Sequence, residues 1–216
     1  SRDVYKMNAN GRKKMLVACE FSGRVRDAFA AQGWDAWSCD LLPTEAPGQH
    51  YQCDVREVLN QGWDLMIAHP PCTYLAVSGN RHIPCNPERW SKRYEALMFV
   101  WELYSADIKR IAIENPISVL STYLRKPDQV VHPYFFGDKE SKKTCLWLKG
   151  LPVLRATEMV EPEFELRRSK KNKSGFSKYS RTALLGPWKG HERSVTFPGF
   201  ARAMAEQWTE YIISNE

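Results

Sequence analysis

Short runs of consecutive apolar residues alternate along this chain with stretches whose apolar positions recur every three or four residues. Met15-Leu16-Val17-Ala18-Cys19 is a run of the first kind and predicts a strand buried on both faces. Glu20-Phe21-Ser22-Gly23 then turns the chain. Val25, Ala28, Phe29 and Gln32 fall along one helical face, and Gly33 ends that segment. Asp35 to Cys39 predicts a second strand, closed by Asp40. Leu42 to Gln52 carries two prolines and a glycine and predicts a loop, and Asp54 leads into a short helix over Val55–Asn60. Asp64 to Ala68 predicts a central strand that stops at Pro70 and Pro71, which fix φ and donate no backbone hydrogen bond; Cys72 follows at once.

Thr73 to Pro87 is polar, with a glycine and prolines, and predicts a mobile loop over the strand end. Trp90, Tyr94, Leu97, Met98, Trp101 and Ile108 recur at helical spacing and predict the core face of a long helix. Ile111-Ala112-Ile113 is a further buried strand, terminated by Glu114-Asn115-Pro116. Ser118 to Arg125 reads as a helix start, Thr144 to Leu148 as a strand, and Leu151 to Ser180 as irregular. Gly199 to Ile213 predicts an amphipathic helix with Ala201, Met204, Ala205, Trp208 and Ile212 on one face. Strands alternating with helices predict an α/β fold of Rossmann type with a mixed, mostly parallel sheet. The pattern implies one domain over 15–216 behind a polar, basic tail at 1–14.

Charge adds a partner. The net charge is +6, with a pI near 9.0, which suits a polyanion. Arg167, Arg168, Lys170, Lys171, Lys173, Lys178, Arg181, Lys189 and Arg193 crowd one late segment, with Phe176, Tyr179 and Trp188 among them. Cations with interleaved rings suit nucleic acid, although a solvated loop has the same composition. No apolar run approaches the length of a membrane span. The cysteines Cys19, Cys39, Cys53, Cys72, Cys85 and Cys145 show no CxxC pair and no zinc-type spacing. They read as reduced thiols of a cytoplasmic protein that needs no metal.

The candidate chemistry sits at the strand ends. Parallel strands place their carboxyl ends on one rim, where ligands bind, so Cys72 and Glu114 share a lip of the sheet. A thiol beside a carboxylic acid suits addition to an electron-poor ring; a half-buried structural cysteine is the plain alternative. Asp40, ending the second strand, suits the hydroxyls of a ribose. His69 precedes Pro70 and is placed to stand near the site, but reads first as a packing or surface residue. His132 and His191 fall in loops with no nucleophile to pair with, and Cys85 reads as a bystander.

The order of motifs resembles the DNA cytosine-5 methyltransferase family, and among its members the small phage and prophage proteins. The likeness runs through Phe21-Ser22-Gly23, Asp40, Asp54, Pro70-Pro71-Cys72, Glu114-Asn115-Pro116 and the closing segment Thr196 to Ala205. It implies a class I S-adenosylmethionine-dependent methyltransferase fold acting on a cytosine swung out of duplex DNA. Cys72 then matches the nucleophile and Glu114 the partner of ring nitrogen 3. Phe21, Ser22, Gly23, Arg24, Asp40, Leu41, Asp54, Val55 and Pro70 would border S-adenosylmethionine, with Asp40 on the ribose and Asp54 on the adenine amino group. Pro71, Asn115, Pro116, Lys142 and Lys143 would face the substrate.

Departures keep other readings open. The family's first loop carries further glycines where this chain has Arg24-Val25. Arg24 is either a surface residue of the first helical turn or the partner of a donor carboxylate. That carboxylate would belong to the methionine part of the donor or to a carboxylated S-adenosylmethionine, giving a carboxymethylated cytosine. The family's sizeable recognition domain is missing, and only the basic loop at about 151–180 stands in its place. Short or loose sequence preference, or specificity lent by a partner, follows, since phosphate contacts position without specifying. A free cytidine nucleotide is a second acceptor class. A degenerate fold serving as a nucleic-acid-binding module is the non-enzymatic reading.

Overall fold

The computed structural model describes residues 11–77, 80, 84, 86–185 and 189–216. Expectations for the start of the tail, for Cys85 and Trp188, and for part of the 73–87 loop fall outside those residues. The chain order is Lys14–Ala18 (β1), Arg24–Ala30 (α1), Asp35–Asp40 (β2), His50–Gln52 (β3), Leu65–Ala68 (β4), Pro87–Ser105 (α2), Ile111–Pro116 (β5) and Leu120–Tyr123 (α3). It continues with Gln129–Val131 (β6), Thr144–Lys149 (β7), Glu165–Arg168 (β8), Phe176–Tyr179 (β9), Arg181–Leu184 (α4), Gly190–Ser194 (α5) and Pro198–Ser214 (α6).

Seven strands form one sheet in the order β3-β2-β1-β4-β5-β7-β6. β7 runs against both neighbours, and the other pairings are parallel. The first five strands follow the 3-2-1-4-5 order of nucleotide-binding α/β sheets, with the switch point between β1 and β4.

Alternation along the strands explains the two cores. Met15 and Val17 of β1, and Leu65 and Ile67 of β4, face α1 and α6, where Phe29, Met204 and Trp208 are buried. Leu16, Ala18, Met66 and Ala68 face the opposite side, against Leu97, Val100 and Leu103 of α2. Buried indoles find partners: Trp34 donates to Thr209 Oγ1 at 2.9 Å, Trp147 to the Arg125 carbonyl at 2.7 Å and Trp208 to the Pro152 carbonyl at 2.9 Å.

Several expectations are corrected. Trp90, Tyr94, Met98 and Trp101 are exposed, while Arg93, Leu97, Val100 and Leu103 form the buried stripe of α2. Arg93 can be buried because its guanidinium donates to the Tyr74 carbonyl at 2.7 Å, the Ala76 carbonyl at 3.0 Å and Asn80 Oδ1 at 2.6 Å. Ile108 is buried as expected but lies beyond the end of α2. The 42–52 loop ends in strand β3, the helix after Asp54 is a single 3-10 turn at Val55–Glu57, and the helix begun near Ser118 shrinks to one turn. The segment 151–180 contains the hairpin β8–β9. Among the described residues, no helix is long and apolar enough to cross a membrane.

Candidate active site

β4 and β5 pair in parallel with Met66 opposite Ile111, Ile67 opposite Ala112 and Ala68 opposite Ile113. Continued by one residue, this register sets His69 opposite Glu114, and by two, Pro70 opposite Asn115. Both juxtapositions are realised. His69 Nε2 lies 3.2 Å from Glu114 Oε2, with side chains only 11% and 12% exposed. The contact is close but not aligned as a hydrogen bond, and Nε2 has no hydrogen-bond partner among the described residues. Asn115 Nδ2 donates to the Pro70 carbonyl at 2.8 Å. The Pro-Pro-Cys segment after β4 is thus tied at two adjacent rungs to Glu114 and Asn115, which were expected to terminate the strand but continue β5 to Pro116 in pairing with β7.

Cys72 is exposed at the end of the first turn. Its carbonyl accepts from Leu75 N at 3.0 Å, Leu75 is fully buried, and the Leu75 carbonyl accepts from Val119 N at 2.9 Å. Arg93 holds the following residues to α2, so the loop after Cys72 is braced from two sides. Pro71 is exposed, Pro116 half-buried, and Pro70 and Asn115 buried.

Glu114 lies on a shallow cleft lined by Pro133, Lys142, Thr144 and the residues Ser194 to Phe197 and Phe200 that lead into α6. Cys72 is not among these lining residues and stands on the exposed side of the rim. Lys142 donates to the Arg193 carbonyl at 2.7 Å, while Lys143 is exposed.

The first loop is organised by Glu20. Its buried carboxylate accepts from Val25 N at 2.7 Å, Arg26 N at 3.2 Å and Ser22 Oγ at 3.2 Å, occupying the free donors at the start of α1. Gly23 adopts a left-handed conformation (φ 76°), and a Cβ there would stand 2.5 Å from the Arg26 guanidinium. Buried Arg26 in turn donates to Ser38 Oγ and Thr44 Oγ1, both at 3.1 Å, and to the Ala46 carbonyl at 3.0 Å, fastening the loop after β2.

Arg24 is exposed and donates to the Thr196 carbonyl at 3.2 Å, bridging the first loop to the cleft wall. Phe21 packs at 4.5 Å against His191, which pairs with Glu45, so His191 belongs to this rim after all. Asp40 accepts from Leu42 N at 2.9 Å, and Asp54 caps its turn through Arg56 N at 3.0 Å; both stay partly exposed on the same rim. Leu41 is exposed and Val55 buried.

The thiols divide by environment. Burial, with Asp40, Cys39 and Asp54 nearby, pushes the Cys19 thiol up well beyond its usual range. Burial and neighbouring Cys53 push Cys39 up to about 12, and burial with Glu114 nearby raises Cys145. These three are held as protonated thiols, whereas Cys72 is exposed.

The residue that sequence reasoning underweighted is His69, read first as packing although it adjoins the site. Its signal was available, since it directly precedes the Pro-Pro turn on the strand next to the one that ends at Glu114. Compared with models of known protein families, the chain matches none. Nor does it match any curated protein.

Proposed function

We propose that this protein is a DNA cytosine-5 methyltransferase of class I fold that alkylates carbon 5 of cytosine from S-adenosylmethionine. The observation that carries the reading is the pairing of the Pro-Pro-Cys segment with the Glu-Asn-Pro end of β5 through His69–Glu114 and Asn115–Pro70. A sheet with one reversed strand beside its edge is compatible with that fold.

The first loop also fits the donor. A dinucleotide would set its pyrophosphate on the helix N-terminus, but Glu20 already occupies those N–H groups. A donor without phosphate meets no such conflict. Phe21, Asp40 and Asp54 would hold its adenosine part on the rim. When bound, the donor supplies an electrophilic carbon.

The chain's own residues prepare the acceptor. The Cys72 thiolate forms a bond to carbon 6 of the ring while Glu114, as a carboxylic acid, hydrogen-bonds nitrogen 3, which takes up through carbon 5 and carbon 4 the electron pair displaced from the carbon 5–carbon 6 double bond. Carbon 5, now enamine-like, takes the alkyl group. Loss of the carbon-5 proton then restores the double bond and expels the thiolate. Pro70 and Pro71 keep the cysteine from swinging away. Buried Asn115 Oδ1, which has no partner among the described residues, leaves an acceptor for a substrate N–H.

The test is to incubate duplex DNA, single-stranded DNA and dCMP separately with S-adenosylmethionine or its carboxylated form, digest, and weigh the nucleosides. The reading expects a 5-alkylated cytosine from duplex DNA that disappears in Cys72→Ser. A product from dCMP alone would move the acceptor to free nucleotides, and no product from any acceptor would remove the reading.

A further inference from the structure

The hairpin β8–β9 carries nearly all of the net charge of the molecule. Residues 165–179 hold six lysines and arginines against one glutamate, a net +5 of the chain's +6. The single acid, Glu165, is paired with Arg167 at 3.2 Å. The other residues of the chain are therefore almost neutral, and the cationic character belongs to one projecting ribbon.

Its two faces differ. Glu165 pairs with Tyr179, Leu166 with Lys178, Arg167 with Ser177 and Arg168 with Phe176. Directly opposed residues share a face, so Leu166, Arg168, Phe176 and Lys178 lie together on one side. All four are exposed, Leu166 by 66% and Phe176 by 49%. On the opposite side Ser177 and Tyr179 are half-buried. Beyond the strands, Lys170, Lys171 and Lys173 are exposed at the turn.

The hairpin is rooted beside the Glu114 cleft. Before β8, Glu163 pairs with Lys139 at 3.1 Å and its backbone N–H donates to the Lys139 carbonyl at 2.9 Å. After β9, Thr182 N donates to the buried Glu140 carboxylate at 2.9 Å. Both strands thus return to residues 139–140, a short step along the chain from Lys142 in the cleft wall.

We propose that this hairpin enters the major groove of duplex DNA with the Leu166–Arg168–Phe176–Lys178 face toward the base edges and the turn lysines on phosphates. A two-stranded ribbon matches the width of the B-form major groove, whereas the major groove of an RNA duplex is deep and narrow. Arg168 and Lys178 are suited to guanine edges, and Leu166 and Phe176 to thymine methyl groups. Two strands of four residues each read a short site, in the place where a recognition domain is missing. The inference rests on the preceding reading only in taking DNA as the partner.

Binding of labelled duplex DNA, the matching RNA duplex and the single strand, measured without donor over a range of salt, tests it. The wild type is expected to prefer duplex DNA. Lys170→Gln/Lys171→Gln/Lys173→Gln is expected to make the slope of log K against log salt shallower by about 2–3 and to raise Kd roughly tenfold or more at low salt. Arg168→Ala/Lys178→Ala is expected to flatten discrimination among duplex sequences, with an unchanged circular dichroism spectrum. A wild-type slope in the triple variant, equal or tighter binding of the RNA duplex, or unchanged discrimination would overturn the proposal. Groove binding that survives in a protein unable to modify DNA would leave the hairpin assignment standing while the methyltransferase reading fell. Normal modification with hairpin-independent binding would do the reverse.

Discussion

His69 and Glu114 owe their contact to register. His69 follows the last residue of β4, and Glu114 follows the last residue of β5 that pairs with β4, so continuing the parallel register makes them neighbours on the next rung. That relation was open to inference from the two strand ends, but a histidine before two prolines reads more readily as packing. Cys72 and Glu114 stood out in the sequence because each closely follows an apolar run and lies within two residues of a proline, although β5 continues through Glu114 to Pro116. His69 lends Glu114 a fixed polar neighbour within 3.2 Å. In the proposed reaction it is a positioning residue, and small displacements of a reacting group are costly. His69→Ala is therefore expected to lower kcat by about 10- to 100-fold with KM for DNA little changed. His69→Gln, which keeps an amide near Glu114, is expected to recover part of the loss. Full activity of His69→Ala across the pH range would show the pair to be packing alone.

The elements divide by how plainly their environment is written in the sequence. β1, β4 and β5 are buried on both faces, and their unbroken apolar runs state this directly. α2 shows where the pattern misleads. Trp90, Tyr94, Met98 and Trp101 recur at helical spacing with Leu97, yet of these five only Leu97 is inside, beside Arg93, Val100 and Leu103. Periodicity counts Arg93 as polar and has no knowledge of the carbonyl oxygens that receive its guanidinium. β6 escaped because three residues between two prolines show no period, and the β8–β9 hairpin because its short strands lie among lysines and serines.

α6 was legible, and its start shapes the cleft through Phe197 and Phe200. At that start, Gly199 donates its N–H to Asp138 Oδ2 at 2.9 Å, and a Cβ would come within 1.9 Å of the Phe136 carbonyl oxygen. Gly199→Ala must push the helix start away from the turn at 133–138 and is expected to cost about 2–3 kcal/mol in denaturant unfolding. A midpoint equal to wild type would show that the helix end shifts freely.

At the scale of the whole molecule, one rim gathers the donor-side loop, the paired turns, the cleft and the root of the cationic hairpin. Charge and chemistry are separated in sequence but converge through the sheet, since parallel strands deliver their carboxyl ends to a single edge. The sequence pattern implied this edge; it did not imply that the basic segment would fold into a ribbon anchored beside Glu114.

The central claim is that Cys72 adds to a cytosine held against Glu114. Duplex DNA containing 5-fluorocytosine tests it most directly, because fluorine replaces the proton whose loss would release the enzyme. Incubated with S-adenosylmethionine and analysed by peptide mass spectrometry, the protein is expected to carry a stable nucleotide adduct on Cys72 alone. The adduct should be absent from Cys72→Ser and strongly reduced in Glu114→Gln. An adduct on another cysteine, or undiminished trapping in Glu114→Gln, would contradict the account.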